Sequence, residues 1–375
     1  MKLQLGRAEF AEAISWATRL VGPRPHLPVL SGVLIEAHDG RLTCRAHDLE
    51  VAGQISVAAN VEQPGRALLP GKLLASVAAK LPDSPVVLSI DGDDVLLKCG
   101  RSNFSLRGMP VDDYPNPLAP IDDAPSGVLK ADAFARLVSQ VGRAAGSDEA
   151  RPMLTGVKIE ATTTGITAAA TDSYRLSVRS LEWEDGVEAE ALIPARALQE
   201  AAKAASEAGG EVRIAFEDGQ VSFLLGDRRL TTRLVDATFP NYRSLLPSSF
   251  ETVVTVQRAA LAEALQRVSL VALGQTNTPV TLSFADGTVT LKAGGQEGAA
   301  EEALPADIDG DGLDIAFNPV YLLAGLEATG TENIRIQLQN NLKPAVLRPQ
   351  PIDVEGDEAP PVEDFLYLIM PMRVN

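Results

Sequence analysis

The chain has 375 residues, with 33 Lys and Arg against 50 Asp and Glu and a formal net charge of −17. This balance excludes a protein that is basic over its whole surface, because neutralising phosphates requires clustered Lys and Arg. No apolar run approaches the roughly 18 residues of a membrane span, and the N-terminus lacks the apolar stretch of a signal peptide, so we expect a cytoplasmic protein.

The first predicted elements belong to a repeat with a step of 124 residues. Residues 30–37 read LSGVLIEA, and residues 154–161 read LTGVKIEA. The same step connects Phe10 with Phe134, and Pro70 with Pro194 and Asn318. Several landmarks in one register predict three copies of one domain. We place them at 1–119, 126–248 and 251–375.

Each copy is predicted to contain two helices. The 3.6-residue spacing of apolar side chains predicts them at 7–20, 71–81, 130–143, 195–206, 257–268 and 318–327. Together these segments hold 11 Lys and Arg against 6 Asp and Glu, the reverse of the whole chain. The simple interpretation is a set of solvated helix faces, and the alternative is a basic surface that binds an anionic partner.

Between the helices the apolar period changes to two, which is typical of strands. Paired strands flank turn sequences at 91–94, 217–220 and 285–288, each containing Gly and Asp. We therefore predict the α+β class, with antiparallel sheets that carry two helices per copy on one face. Cys44 and Cys99 lie inside such alternating segments, and we expect two reduced thiols rather than a disulfide.

One acidic string resembles a metal site. Residues 307–312 read DIDGDG and match four positions of a calcium-binding EF-hand loop. The twelfth position is Asn318 where a bidentate Glu is needed, so we interpret the string as a solvated turn before the last helix. An enzyme that uses Asp307 to Asp311 with a divalent metal stays open as an alternative.

Other catalytic patterns are missing from the sequence. His26, His38 and His47 have no ligand or nucleophile at a suitable spacing, and there is no Gly-rich phosphate loop. We expect no cofactor, no metal site and no enzymatic activity. The apolar C-terminal residues 366–375 predict a buried edge strand or, since Met370 and Met372 are adaptable, a binding surface.

Four short motifs carry a family resemblance over essentially the whole chain. They are GRSNFSL at 100–106, ATDSYRL at 170–176, FPNY at 239–242 and MPMR at 370–373. Together with the threefold repeat, they resemble the bacterial DNA polymerase III beta subunit family, the sliding clamps. The resemblance implies three clamp domains per chain and a head-to-tail homodimeric ring, with the helices inside and the sheets outside. It implies a processivity factor of DNA replication, a non-catalytic subunit of a DNA-directed DNA polymerase that encircles duplex DNA without reading its sequence.

DNA contacts are expected on the basic helix faces. The resemblance implies Arg24 and Arg196 as the first candidates, and Arg151 in the loop 147–152. The spacing of charges along the helices alone adds Lys72, Lys80, Arg136, Arg143 and Lys203.

The resemblance also implies a pocket for short linear peptides. Expected partners are the DNA polymerase III catalytic subunit, the clamp loader complex that opens the ring, and other proteins with a clamp-binding motif. The pocket residues carried over by position are Leu154, Thr171, Ser173, Tyr174, Arg175, Leu176, Pro240, Ser244, Leu245, Val346, Leu368, Ile369, Met370, Pro371, Met372 and Arg373. Tyr174, Ser244 and the extra terminal Asn375 depart from the family pattern, so the peptide preference is expected to differ.

The dimer seam is expected to join Phe104 and Leu106 of one chain to Leu270 and Val271 of the other. Burial of all four within their own chain is the alternative. A second hypothesis for the whole protein is a monomeric three-domain scaffold that binds peptides and does not encircle DNA.

Overall fold

A computed structural model describes residues 1–22, 24–118, 124–272, 278–295, 298–350 and 364–373. Its helices are α1 (Arg7–Arg19), α2 (Gly71–Lys80), α3 (Ala131–Val141), α4 (Pro152–Thr155), α5 (Ala195–Ala208), α6 (Arg258–Val268) and α7 (Pro319–Thr329). The six helices predicted from sequence are therefore confirmed to within three residues, and the single turn of α4 is an addition. None of the described helices is both long and apolar enough to cross a membrane.

The strands follow in three groups along the chain. The first group is β1 (Lys2–Leu5), β2 (Gly32–His38), β3 (Arg41–His47), β4 (Val51–Ala58), β5 (Asn60–Gln63), β6 (Gly65–Pro70), β7 (Val86–Asp91), β8 (Asp94–Cys99) and β9 (Ser102–Arg107). The second is β10 (Ser126–Lys130), β11 (Gly156–Ala161), β12 (Gly165–Thr171), β13 (Arg175–Glu182), β14 (Ala189–Pro194), β15 (Glu211–Glu217), β16 (Gln220–Leu225) and β17 (Arg228–Arg233). The third is β18 (Thr252–Gln257), β19 (Val280–Ala285), β20 (Thr288–Gly295), β21 (Gly298–Pro305), β22 (Asp307–Gly310), β23 (Leu313–Phe317), β24 (Asn333–Leu338), β25 (Ala345–Pro349) and β26 (Phe365–Ile369).

The chain divides into two compact units, Met1–Ala135 with Glu200–Leu234 and Arg136–Gln199 with Val235–Asn375. Unit 1 contains a five-stranded sheet, β5-β1-β7-β8-β9, and an eight-stranded sheet, β10-β15-β16-β17-β4-β3-β2-β6. Unit 2 contains a nine-stranded sheet, β14-β11-β12-β13-β26-β25-β24-β18-β22, and a four-stranded sheet, β21-β20-β19-β23. The middle copy of the repeat thus contributes strands to both units.

The large sheet of each unit is continuous across two copies of the repeat. In unit 1, β4 of the first copy pairs antiparallel with β17 of the second, with Leu230 opposite Gly53. In unit 2, β13 of the second copy pairs antiparallel with β26 of the third, with Tyr367 opposite Ser177. Neighbouring copies are therefore joined by backbone hydrogen bonds between strands as well as by side chains.

The 124-residue step also appears in the strand boundaries. The strands β2, β11 and β19 begin at Gly32, Gly156 and Val280, which are equally spaced. The strand β13 has the length of β4 and starts 124 residues after it. The three copies are equivalent in backbone as well as in sequence.

The hairpin turns follow the predicted chemistry. Between β19 and β20, Asp286 (φ 50°) and Gly287 (φ 73°) form a two-residue turn between the paired residues Ala285 and Thr288. Both residues lie in the left-handed region, which a tight hairpin requires and which Gly and Asp tolerate. Gly219 takes the same region (φ 76°) in the turn between β15 and β16.

The helices pack their predicted apolar faces into the cores. On α1 the side chains of Phe10, Ala13, Ile14 and Ala17 are completely buried. Burying one large apolar side chain contributes about 1.5–3 kcal/mol, so these faces are a main source of stability. Both cysteines are free and buried, and burial raises the pKa of the Cys44 thiol to about 12.

The acidic string at 307–312 differs from its sequence interpretation. Residues Asp307–Gly310 form strand β22, which pairs with β18 and places Ile308 opposite Val254. The prediction of a turn before α7 was wrong, because Ile308 packs against the apolar core and holds the segment extended. Within the described ranges, no group of three or more His, Cys, Asp and Glu side chains has a metal-binding arrangement.

Candidate functional site

The turn between β12 and β13 presents the most exposed aromatic side chain of unit 2. Asp172 Oδ1 accepts hydrogen bonds from the backbone N–H groups of Tyr174 (2.9 Å) and Arg175 (3.1 Å), and its Oδ2 accepts from Arg175 Nε (2.9 Å). Ser173 adopts the left-handed conformation (φ 81°) that this turn needs. The turn leaves Tyr174 57% exposed.

Tyr174 stacks on Tyr321 of α7, with ring centroids 6.1 Å apart. The Arg175 guanidinium lies over the same Tyr321 ring, 4.6 Å from its centroid, which is a cation–π contact. The Tyr367 hydroxyl donates to the carbonyl oxygen of Tyr321 at 2.8 Å, and burial raises the Tyr367 pKa to about 12. Sequence reasoning missed Tyr321, since no local pattern on α7 connects it with a turn in another copy.

A buried apolar cluster lies beside this turn. Leu176, Val346 and Leu368 belong to it, together with Tyr242 from the 3₁₀ turn Tyr242–Leu245. The turn leaves Leu245 51% exposed, and Pro240 and Ser244 are exposed as well. Three of the predicted pocket residues, Leu176, Val346 and Leu368, therefore pack in one apolar cluster, which can form the floor of a site for an apolar ligand.

The C-terminal segment crosses next to the turn. The Met370 N–H donates to the carbonyl oxygen of Tyr174 at 2.9 Å, and the Met372 N–H donates to that of Ala316 at 2.7 Å. Met370 is 40% exposed, Pro371 and Met372 are half-buried, and Arg373 is exposed. Asn375 lies outside the described residues. We call the surface formed by Tyr174, Leu176, the turn Tyr242–Leu245, Val346, Leu368 and Met370 the Tyr174 face.

Three other predicted pocket residues are buried and have structural roles. Thr171 is buried, and its hydroxyl donates to the Arg175 carbonyl at 2.7 Å. Leu154 is buried at the end of α4. Ile369 packs into the core of the third copy with Phe365 and Tyr367, on the opposite side of β26 from Leu368. Because side chains alternate along a strand, Ile369 does not contribute to the Tyr174 face.

Unit 1 has an equivalent surface one repeat earlier. Asp48 Oδ1 accepts from the N–H groups of Glu50 (3.2 Å) and Val51 (2.9 Å), and Leu49 is left-handed (φ 80°). The Arg233 N–H donates to the Glu50 carbonyl at 2.9 Å, as that of Met370 does to Tyr174. We call this surface the Leu49 face.

The side chains of the two faces differ. Across β3, β4 and β17, the Leu49 face carries a cross-strand row of Arg45, Gln54 and Arg229. The equivalent row across β12, β13 and β26 is Ala169, Val178 and Leu366. One backbone arrangement therefore supports a polar surface in unit 1 and an apolar surface in unit 2.

In unit 1 the predicted cationic residues lie in exposed positions. Lys72 and Lys80 are exposed near the two ends of α2, Lys203 is exposed on α5, and Arg24 is exposed in the loop after α1. Arg19, which was not among the predicted contacts, is held by Glu207 through hydrogen bonds of 2.6 and 3.0 Å. The ammonium groups of these exposed lysines are accessible to an anionic partner.

In unit 2 the predicted cationic residues are arginines. Arg136, Arg143, Arg151 and Arg196 are all exposed. Arg143 pairs with Glu327 (2.6 Å), and Arg151 pairs with Asp148 (3.0 Å). These two guanidiniums already have partners, so their attraction for a further anion is reduced.

The predicted seam residues fall into two classes. Phe104 on β9 is 37% exposed and Leu270 is 61% exposed. Leu106 is 5% exposed, and Val271 is half-buried against the core of the third copy. The strands β9 and β21 lie at sheet edges, where one row of backbone groups has no neighbour within the described sheets.

Three tandem α+β domains, with exposed lysines on a helix of unit 1 and an apolar cluster beside an exposed turn of unit 2, define the class of the DNA sliding clamps. Family models of the DNA polymerase III beta subunit match nearly the whole chain. They match the N-terminal domain of the DNA polymerase III beta subunit at residues 1–118, its central domain at 128–241 and its C-terminal domain at 243–373.

The chain is also similar to known sliding clamps, in sequence and in structure. The chain is 40% identical to a beta sliding clamp from Streptomyces coelicolor over 100% of both proteins. The DnaN sliding clamp from Bartonella birtlesii, crystallised with griselimycin, matches the structure with a TM-score of 0.91 and 29% identity over 100% of both chains. The Bacillus subtilis sliding clamp matches with a TM-score of 0.91 and 26% identity, again over 100% of both chains.

The chain belongs to the DNA polymerase III beta subunit family, the bacterial beta sliding clamps. Its function is that of a processivity clamp in DNA replication, a non-catalytic subunit of the polymerase III holoenzyme. Membership of this family favours the clamp over the monomeric scaffold and over the metal-dependent enzyme.

Proposed function

We propose that two copies of the chain close head to tail into a ring around duplex DNA. The observation that supports this most strongly is the joining of neighbouring copies by strand pairing, β4 with β17 and β13 with β26. By the repeat step, β21 of the third copy corresponds to β4 and β13, and β9 of the first copy corresponds to β17. The edges of β21 and β9 are then the two halves of a third junction, formed between chains.

The exposed side chains at these edges fit such a junction. Phe104 on β9 and Leu270 next to β21 are large apolar residues that are partly exposed to water in a single chain. Burying them in a pair of symmetric seams removes apolar area from water and covers both edges. Leu106 and Val271 support the seam from within each chain.

The ring holds DNA through weak contacts with the phosphates. Arg24, Lys72, Lys80 and Lys203 in unit 1 supply cationic groups on exposed positions. Arg136, Arg143, Arg151 and Arg196 in unit 2 add to them, and Arg143 and Arg151 first leave Glu327 and Asp148. Contacts with phosphates alone carry no sequence information, so the ring can slide.

The Tyr174 face binds short linear peptides from the polymerase III catalytic subunit, the clamp loader and other clamp-binding proteins. Its support is a buried apolar floor of Leu176, Val346 and Leu368 with the exposed Tyr174 and Met370 at its rim. Apolar anchors in such a surface supply most of the energy of a small interface, and Met adapts to different ligands. We infer that the protein acts in the cytoplasm, together with these partners.

The mass in solution tests the ring. We expect twice the 39.6 kDa of one chain, and a single chain for the variant Phe104→Asp with Leu270→Asp. Leu342→Asp, at an exposed turn position distant in sequence from both edges, is the control and should stay dimeric. A wild-type monomer at micromolar concentration contradicts the ring.

Removal of residues 370–375 tests the Tyr174 face. The truncated chain should lose binding to the polymerase catalytic subunit and keep the mass of the wild type, because the seam lies elsewhere. Retained polymerase binding would overturn the assignment of this face.

A further inference from the structure

The carboxylate of Glu160 on β11 holds the turn that forms one side of the Tyr174 face. Arg243 donates to Oε1 at 2.8 Å and to Oε2 at 2.6 Å, and the Tyr242 hydroxyl donates to Oε2 at 2.8 Å. A bidentate pair of this kind fixes orientation as well as distance. The hydrogen bonds from Arg243, together with the one from Tyr242, keep the pKa of Glu160 below its ordinary value.

The contacts of Tyr242 extend from this carboxylate to the floor of the face. Its side chain is 4% exposed and packs in the cluster with Leu176, Val346 and Leu368. The Arg243 guanidinium lies over the Tyr242 ring, 4.9 Å from its centroid. Ring, guanidinium and carboxylate therefore form one connected group at the start of the turn.

The turn ends in the residues that face a ligand. Ser244 closes it by donating from its hydroxyl to the carbonyl oxygen of Asn241 at 2.7 Å, and Leu245 follows with half of its surface exposed. The side chains of Ser244 and Leu245 are both exposed, so their own packing does not fix their position. Their position depends on Tyr242 and Arg243, and so on Glu160.

In unit 1 the glutamate at the position equivalent to Glu160 has a different partner. Glu36, one repeat earlier on β2, pairs with Arg45 of the neighbouring strand at 2.9 Å. In unit 2 the residue equivalent to Arg45 is Ala169, which offers the carboxylate no partner within the sheet. Aligning Phe239–Tyr242 of unit 2 with Tyr114–Pro117 of unit 1 puts Pro117 and Leu118 at the positions of Tyr242 and Arg243, and neither of these two side chains has a hydrogen-bond donor.

We infer that Glu160 is a positioning residue of the peptide site: it fixes the turn Tyr242–Leu245 and thereby holds Leu245 and Ser244 against the bound peptide. The replacement of an arginine by Ala169 leaves the carboxylate available for this role in unit 2. This inference rests on the proposed peptide-binding function of the Tyr174 face.

Glu160→Gln tests the inference, with Glu36→Gln as the matched control. The probe is a fluorescently labelled peptide from the clamp-binding segment of a polymerase III catalytic subunit, and the readouts are Kd, dissociation rate and Tm. Each variant removes one carboxylate–arginine pair from the same repeat position, so similar changes in Tm are expected. Only Glu160→Gln should weaken the peptide, by about tenfold and mainly through faster dissociation.

A second variant keeps the result interpretable. Arg243→Gln should weaken the peptide by a similar factor, and the double variant should be no weaker than either single variant, because both remove one interaction. Wild-type peptide affinity in Glu160→Gln, or equal losses in Glu160→Gln and Glu36→Gln, overturns the inference. If the wild-type chain binds no peptide, or if a Leu368→Arg chain binds it normally, the proposed function itself fails.

Discussion

The Tyr174 face and the Leu49 face have the same backbone arrangement but differ in the polarity of their side chains. Both have an aspartate-capped turn with one left-handed residue, and both accept a backbone hydrogen bond from a residue of the next copy. They differ in a few cross-strand side chains, of which Arg229 against Leu366 is the clearest pair. The repeat therefore gives both units the same backbone arrangement, and a few side chains decide which of the two faces is apolar.

The difference between the two faces can be tested by giving unit 2 the polar residue of unit 1. Leu366→Arg introduces a charge at a position that is 7% exposed inside the apolar cluster. An unpaired buried charge costs about 3–5 kcal/mol, so we expect this loss in urea unfolding and no measurable peptide binding. The reciprocal Arg229→Leu in unit 1 should leave peptide affinity unchanged. Normal peptide binding by Leu366→Arg would show that the apolar row is not the basis of the difference.

The units also differ in their cationic residues, and the salt dependence of DNA binding tests which of these residues contact phosphates. Lys72→Ala with Lys80→Ala removes two exposed ammonium groups and should make the negative slope of log K against log salt shallower by about 2 for duplex DNA. Arg143→Ala with Arg151→Ala removes guanidiniums that are already ion-paired and should change the slope by less. A larger change for the arginine pair would reverse this assignment.

The smallest expected effect concerns pH and unit 1 alone. His47 is buried, its Nε2 lies 3.0 Å from the Pro115 carbonyl, and burial lowers its pKa. The folded chain thus favours neutral His47, whereas the unfolded chain takes up a proton near the ordinary value of about 6.5. Stability from this residue is present above that pH and is lost as the pH falls below it.

The equivalent residue in unit 2 is Thr171, which does not titrate, so His47→Thr is the matching variant. The variant should lose less stability than the wild type between about pH 7.5 and pH 5.5 in urea unfolding. Identical pH dependence in the two proteins would exclude His47 as the source.

Much of the fold could be predicted from the sequence because its signals are local or periodic. The helices follow from 3.6-residue spacing, and the hairpins follow from Asp-Gly turns such as Asp286-Gly287. Strand β22 was not predicted, because its acidic residues resemble a loop and only Ile308 marks the core contact.

The candidate site was predictable in its outline and not in its supports. Tyr174 and Met370 were found through motifs, and the structure brings them together. The contacts of Tyr321 with Tyr174 and of Arg243 with Glu160 join residues far apart in the chain. Such pairs leave no periodic signal, so sequence reasoning had no means of finding them.

Retention on circular DNA tests the central claim, that the chain acts by encircling the duplex, most directly. The protein would be placed on a nicked circular plasmid by a bacterial clamp loader, washed with high salt, and measured before and after the plasmid is cut once. We predict that it stays on the circle through the wash and is released when the DNA becomes linear, since topology rather than affinity holds it. Equal retention on circular and linear DNA, or complete loss from the circle in salt, would contradict the account.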